Sequence, residues 1–368
     1  MAITGNKGEW SEIYTLFRLL GEGKVHAGDV NLNKLNVYYP IINIVREESR
    51  KFEYKPDSVH NIVVVDANGK EYVRIPMDTF MNESSHLLQA IKKYNGKERS
   101  FSIPRTEEFM EQIGCTKLKA PSTDKSDIHI VIHDLITNMT PLLGFSIKSF
   151  LGGDPTLLNA TGGTNVIYRL CNKNMTDDDL MEINSIKDHL PRMNAILEKG
   201  YDLEYFDIEN QIFKNNLLFL DCCMPSFISH CLLCNNLQQS SSSLKKTVET
   251  IARKNPFGFT GKNVNAFYEH KMKVLLIAAA LGMKPATEWT GRYDANGGYL
   301  VVRKDGEIVC YHFYNWNDVE DYLYNNTRFE RGERKKHKYG SLYRSSDGEV
   351  YIKLNLQIRF KNKTQLQR

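Results

Sequence analysis

The stretch from Asp124 to Ser149, DKSDIHIVIHDLITNMTPLLGFSIKS, restricts the fold of this chain more than any other. Ile128, Ile130 and Ile132 alternate with Asp127, His129, Val131 and His133, the period of a strand with one buried face. Leu142 to Lys148 alternates again, with Leu143, Phe145 and Ile147 set against Gly144, Ser146 and Lys148. A polar turn carrying Asn138 and Pro141 separates the two runs. Pairing centred on that turn predicts Asp127 opposite Lys148 and His129 opposite Ser146. An aspartate and a lysine then share one face of a sheet, away from the face that Ile128, Phe145 and Ile147 bury.

Two readings fit that face. The plain one is an amphipathic hairpin with a surface ion pair. The chemical one is phosphodiester cleavage with Mg²⁺: Asp127 supplies hard oxygen ligands, and Lys148 orients or deprotonates the attacking water and stabilises the charge on the phosphate. An Asp on one strand and acid-x-Lys on the next resembles the PD-(D/E)xK nucleases. Ser146 stands in the acid slot here, so the chemical reading needs a carboxylate from elsewhere.

The N-terminal stretch GEWSEIYTLFRLL, residues 8–20, offers two. At a helical period Trp10, Ile13, Tyr14, Leu16, Phe17, Leu19 and Leu20 fill a wide apolar arc, while Ser11, Thr15 and Arg18 lie outside it. Glu9 falls near the middle of the arc and Glu12 close to its edge. First-turn acids suit the helix dipole, which explains their charge but not their direction. A carboxylate on a core-facing stripe is costly unless paired or metal-bound, so at least one is expected at the site. Asp154 is the reserve candidate.

Further along, residues 37–76 read as antiparallel strands with a hairpin turn at Asn68-Gly69. Helices are expected over 79–94 and 105–113, the second capped by Thr106 and ended by Gly114. Gly152-Gly153 and Gly162-Gly163 bracket a loop whose Asn159, Thr161, Thr164 and Asn165 suit either turn chemistry or phosphate contact. Thr164 to Leu170 is expected as a third strand. A helix over 176–198 should bend at Pro191, and the apolar run 209–235 should break at Pro225. That run holds Cys222, Cys223, Cys231 and Cys234. Embedded in FISHCLLC with no second well-spaced pair, they read as buried thiols rather than a zinc site. The QQSSSS run at 238–243 reads as a linker, which divides the chain into 1–237, the catalytic core with its N-terminal helix and β region, and 244–368, an α+β region. Within the latter a helix (263–281), a hairpin around Asp305-Gly306, a short helix (317–324) and a last strand (349–360) are expected. KNKTQLQR closes the chain as a frayed tail.

The strongest basic patch is RFERGERKKHKYGSLYR, residues 328–344. Lysines there suit phosphates, and an arginine suits guanine O6 and N7. Arg328, Arg331, Arg334, Lys335, Lys336 and Lys338 are the candidate DNA contacts. The plain reading is a solvated loop.

At 368 residues the chain can hold two domains or one elaborated α/β core. A net charge of +4 confines any nucleic-acid surface to a local patch. Seven cysteines, an odd number in a long chain, fit a reducing cytoplasm rather than a disulfide scaffold. No signal peptide or membrane-spanning apolar run is apparent, and no internal repeat.

GNKGEWSEIY, GFSIKSFLGG…TLLNATGGTNVIYRL and YIKLNLQIRF resemble the HpaII-type restriction endonuclease family, in the family's order and along essentially the whole chain. The resemblance implies an α/β protein with a PD-(D/E)xK nuclease-like core, a mixed β-sheet flanked by helices with added α and β elements. It implies Mg²⁺ dependence and cleavage of a short palindromic double-stranded DNA site. The family's name-giving enzyme reads CCGG. A homodimer on DNA and a cognate DNA methyltransferase are the expected partners, and no membrane. On the resemblance, Asp127, Ser146 and Lys148 fall on the nuclease motif and Glu9 and Glu12 on the first-helix acids. Two alternatives share the fold: a catalytically inactive DNA-binding protein, and a repair or structure-specific nuclease. A carboxylate beside Asp127 and Lys148 separates the first of these from an active enzyme.

Overall fold

The computed structural model describes residues 2–47, 51–119, 125–135 and 138–361. The two residues at the centre of the expected hairpin turn, the start of the stretch that leads into it, and the expected frayed tail after Lys361 lie outside the described residues. The chain opens with α1 (Lys7–Glu22), β1 (Lys24–Gly28), β2 (Lys34–Glu47), β3 (Lys51–Pro56), β4 (Asn61–Asp66), β5 (Glu71–Pro76), α2 (Met77–Lys93), α3 (Pro104–Gln112), β6 (Ile128–Ile132) and β7 (Leu142–Ser149). It continues through β8 (Thr156–Leu158), β9 (Asn165–Cys171), α4 (Asp177–Ser185), α5 (His189–Glu198), β10 (Asp202–Ile208), α6 (Gln211–Leu220), α7 (Met224–Asn236), α8 (Leu244–Lys254) and α9 (Val264–Leu281). It ends with β11 (Gly298–Val302), β12 (Ile308–His312), α10 (Trp316–Asn326), β13 (Thr327–Phe329), α11 (Arg334–His337), β14 (Leu342–Arg344), β15 (Val350–Asn355) and β16 (Ile358–Phe360).

These form two compact units, residues 1–155 with 293–322, and residues 156–292 with 323–368. In the first, nine strands lie in the order β1-β12-β11-β7-β6-β2-β3-β4-β5, and β1 also pairs with β2. The long β2 therefore bonds on both sides of its bend, and six strands close into a barrel-like ring. The sheet is mixed: β7–β11 and β1–β12 run parallel, the other neighbours antiparallel. On one face sits α1, whose Trp10, Ile13, Phe17 and Leu20 share a core with Ile128, Ile130, Phe145, Ile147 and Leu300. Ser11 and Thr15, expected outside the apolar arc, are fully buried as well. Their hydroxyls are satisfied internally, by Lys7 O at 2.6 Å and Ser11 O at 2.8 Å, so the helix tolerates burial on that side.

In the second unit β10-β9-β15-β14 form one sheet and β13-β16-β8 another. The expected third strand thus pairs with β10 and β15 and not with the hairpin. The expected last strand divides at Leu356-Gln357 between the two sheets. Gln238 to Ser243, read as a linker, lies inside this unit. Phe329 N donates to Ser242 O at 2.8 Å and Ser243 bridges Arg328, so the run is pinned to β13. Helix 176–198 breaks before Pro191, at residues 186–188, and the apolar run breaks at residues 221–223, with Pro225 in the first turn of the second helix. Cys231 and Cys234 are buried thiols as expected, whereas Cys222 is exposed. Among the described residues no single helix is long and apolar enough to cross a membrane.

Candidate active site

The hairpin forms two residues out of the expected register. Ile128 pairs with Phe145, His129 with Gly144 and Ile130 with Leu143, so Asp127 lies beside Ser146 instead of Lys148. A two-residue slip leaves every side chain on its face, since the strand period is two. Asp127, Ser146 and Lys148 therefore still share the face opposite Phe145 and Ile147. The register holds because Asp127 N donates to Phe145 O at 2.8 Å, while its carboxylate Oδ2 accepts from Ile147 N at 2.6 Å and Ser146 Oγ at 3.1 Å. The aspartate is fixed in orientation by two donors on the neighbouring strand.

Parallel pairing of β11 with β7 sets Tyr299 beside Ser146 and Val301 beside Lys148. A side-chain hydrogen bond joins Tyr299 to Ser146, and burial pushes the phenol well above its usual range, so it stays neutral. Lys148 Nζ lies 5.5 Å from the Tyr299 ring centroid, within cation–π range. Gly144 brings the segment before β11 against β7: a Cβ there would meet Ser126 Oγ at 2.1 Å and Asp294 O at 2.8 Å. Gly144 N also finds its partner in that segment, donating to Asn296 Oδ1 at 2.9 Å.

The two first-helix glutamates part ways. Glu9 completes a capping box with Asn6, whose N donates to Glu9 Oε2 at 2.9 Å, and its Oε1 pairs with Lys119 at 2.9 Å. Lys119 and the Asn6 amide outweigh its desolvation and hold its carboxyl below the usual range. Its charge is spent on the helix. Glu12 is different. Its Oε2 is buried with no hydrogen-bond partner. Burial first, and the Asp127 charge second, push its carboxyl well above the ordinary value, while Arg46 and Lys148 draw it back. Ser149 Oγ and Ser11 Oγ, 2.8 Å apart, tie the helix next to Glu12 to the strand next to Lys148.

Two buried-side carboxyls that repel each other, one with an orphaned oxygen, are the donor set a hard divalent cation fits. Asp154 is not among the leading charges on Glu12.

Arg46 and Tyr299 were not foreseen from the sequence. Arg46 is 7% exposed and donates to Lys117 O at 2.7 Å. Its signal was available: it shares the phase of the fully buried Ile44 on β2, where a charge is out of place. Tyr299 gave none, because every residue of β11 is buried.

In the second unit the basic segment is tethered rather than a freely solvated loop. Arg328 pairs with Glu330 at 2.5 Å, Arg334 Nη1 donates to Lys187 O at 2.7 Å, and Arg344 bonds Asp177 at 2.7 Å. Arg331, Lys335, Lys336 and Lys338 are exposed. Of the glycine-loop candidates, Asn159 is exposed. Thr164 and Asn165 are fully buried. Asn165 Nδ2 donates to Glu209 Oε2 at 2.7 Å and His337 O at 3.0 Å, and Asn355 donates to Asn165 Oδ1 at 2.7 Å. Their side chains knit β9 to β15 and have none to offer a groove.

The sequence profile of the HpaII restriction endonuclease family matches residues 6–360. This chain belongs to that family. The type II restriction enzyme HpaII of Haemophilus parainfluenzae is 41% identical to it over 360 residues, 97% of this chain and 98% of that enzyme. The match takes in Glu12, Asp127, Ser146 and Lys148 alike, along with the whole basic segment. No solved structure matches the chain significantly.

Proposed function

We propose that this chain is a type II restriction endonuclease that hydrolyses phosphodiester bonds at a short palindromic duplex site, CCGG-like, with Asp127, Glu12 and Lys148 as its cleavage centre on a PD-(D/E)xK-like core. The observation that carries the reading is Glu12. Its carboxyl feels both Asp127 and Lys148, which supplies the acid that the Ser146 slot lacks. A DNA-binding protein without catalysis has no use for a second buried carboxylate there, one whose Oε2 lacks a hydrogen-bond partner.

Glu12 and Asp127 are the residues that would hold Mg²⁺. Bound there, the ion supplies positive charge to the scissile phosphate and acidifies a water. The chain's own groups do the rest. Ile147 N and Ser146 Oγ hold Asp127 in one orientation, so no reorganisation is needed when DNA arrives. Lys148, held over Tyr299, places its ammonium on the same face, where it steadies the negative charge of the pentacovalent state and orients the nucleophilic water. Arg46 offsets part of the acidic charge on the Glu12 side.

Among exposed groups of the second unit, Lys335 and Lys336 suit phosphates and Arg331 suits a guanine edge. Palindromic recognition calls for two copies of the chain, hence a homodimer on DNA, and cellular DNA is protected by a cognate methyltransferase in the cytoplasm. Incubating plasmid with the protein and Mg²⁺ and sequencing the fragment ends tests the reading. Discrete fragments with one common end sequence are expected; intact plasmid overturns it.

A further inference from the structure

A cavity of about 850 Å³ opens in the second unit, walled by the α4–α5 connection, α11 and the start of β14. Lys187, Arg192, Arg334, Lys335, Lys338 and Lys353 line it, against the single carboxylate Glu333. Lys353 is neutralised by Glu209. The other five leave a strong positive excess.

Arg192 is the telling residue. It is 4% exposed, and its guanidinium donates only to neutral oxygens: Ile186 O at 3.0 Å, Asn184 O at 2.9 Å, Ser341 Oγ at 3.1 Å and Gly340 O. Burial and the neighbouring Arg334 both lower its pKa, while the guanidinium keeps its charge. A buried charge ordinarily has an opposite partner, and here the charge that acts on Arg192 is that of Arg334, of the same sign. Arg334 adds a buried Nε with no hydrogen-bond partner. His189, close by, is held neutral: burial and Arg331, Arg334 and Arg192 lower it to about 4. The wall is rigid, since Asn184 and Leu342 exchange two hydrogen bonds across it at 2.9 Å. Such a lining suits an anion from outside, and Lys335 and Lys338 stand exposed in it.

We propose that this cavity binds backbone phosphates of duplex DNA, without reading sequence, in the unit that does not contain Asp127. The inference rests on DNA being the substrate. It makes Arg334, one of the candidate DNA contacts, a phosphate contact. It also adds Lys187 and Arg192 to the DNA-facing groups.

The test uses the intact protein in EDTA with a labelled duplex of scrambled sequence, titrated at low and moderate salt. Lys335→Ala/Lys338→Ala should bind it about ten-fold more weakly at low salt. The slope of log affinity against log salt should fall by about two. In parallel, inorganic phosphate should raise the melting temperature of the wild type more than chloride of equal ionic strength, and the double variant should lose that increment. Unchanged duplex affinity and slope in the double variant overturn the proposal. If phosphate still stabilises the wild type in that case, the cavity takes an adventitious ion only. Should the wild type bind no duplex and cut no plasmid, the DNA reading itself falls. Normal plasmid cleavage with an unaffected double variant removes the cavity alone.

Discussion

Glu12 bears the heaviest electrostatic load at the proposed cleavage centre, and its consequences are measurable without DNA. Folding raises its carboxyl above the ordinary value. The stability that goes with the protonated form is therefore full below the ordinary carboxylate range and is lost as pH rises from there through the raised folded value. At neutral pH in a chelator, Glu12→Gln should melt higher than the wild type, and the gap should close near pH 4. Mg²⁺ should raise the wild-type melting temperature and leave that of Glu12→Gln unmoved. Equal melting at pH 7, with equal response to Mg²⁺, would take Glu12 out of the site. Ser146→Ala deletes one of two donors to Asp127. It should cost cleavage about five- to ten-fold, roughly 1 kcal/mol, measured as single-turnover rate. That glutamates belonged near the hairpin was legible from the helical arc. Which one was not, because Glu9's diversion into a capping box depends on Asn6 and on Lys119, a residue far along the chain.

Periodicity gave the elements and not their partners. Strands β2, β4, β5, β6, β7, β11 and β12 stand where alternation and turn signals put them, α1 where its apolar arc does, and α2, α6, α7 and α9 within the stretches expected to be helical or apolar. The hairpin register escaped because a slip of two residues changes no face; it is set by Asp127's bonds to Phe145 O and Ile147 N and by Asn138 in the left-handed region. The placement of β9 in another sheet escaped because β10 and β15 lie 30 and more residues away, beyond any local signal. The pairing of β11 with β7 hinges on Gly144. Gly144→Ala should destabilise the fold by about 1–3 kcal/mol through steric overlap with Ser126 and the Asp294 carbonyl, and should lower activity with it. A melting temperature unchanged from the wild type would mean that the segment before β11 is free to move away.

At the scale of the whole chain, the two units interleave: the first is completed by 293–322 and the second by 323–368. A serine run looks like a hinge in one dimension, but Ser242 and Ser243 are stitched to β13, a contact no local composition announces. A fragment ending at residue 237 lacks β11 and β12 of the ring and β15 of the second sheet. It should fail to give a cooperative melting transition, and a sharp one would contradict the division described. The central claim, that Asp127, Lys148 and Glu12 form one cleavage centre, is tested most directly by the single-turnover cleavage rate of plasmid across a Mg²⁺ titration. Wild type is compared with Asp127→Asn, Lys148→Ala, Glu12→Gln and Glu9→Gln, with duplex binding recorded in EDTA. The first three should lose cleavage by about 10²-fold or more while holding duplex nearly as well as wild type, and Glu9→Gln should keep most of its rate. Wild-type cleavage by Lys148→Ala or by Glu12→Gln at limiting Mg²⁺ would contradict the claim.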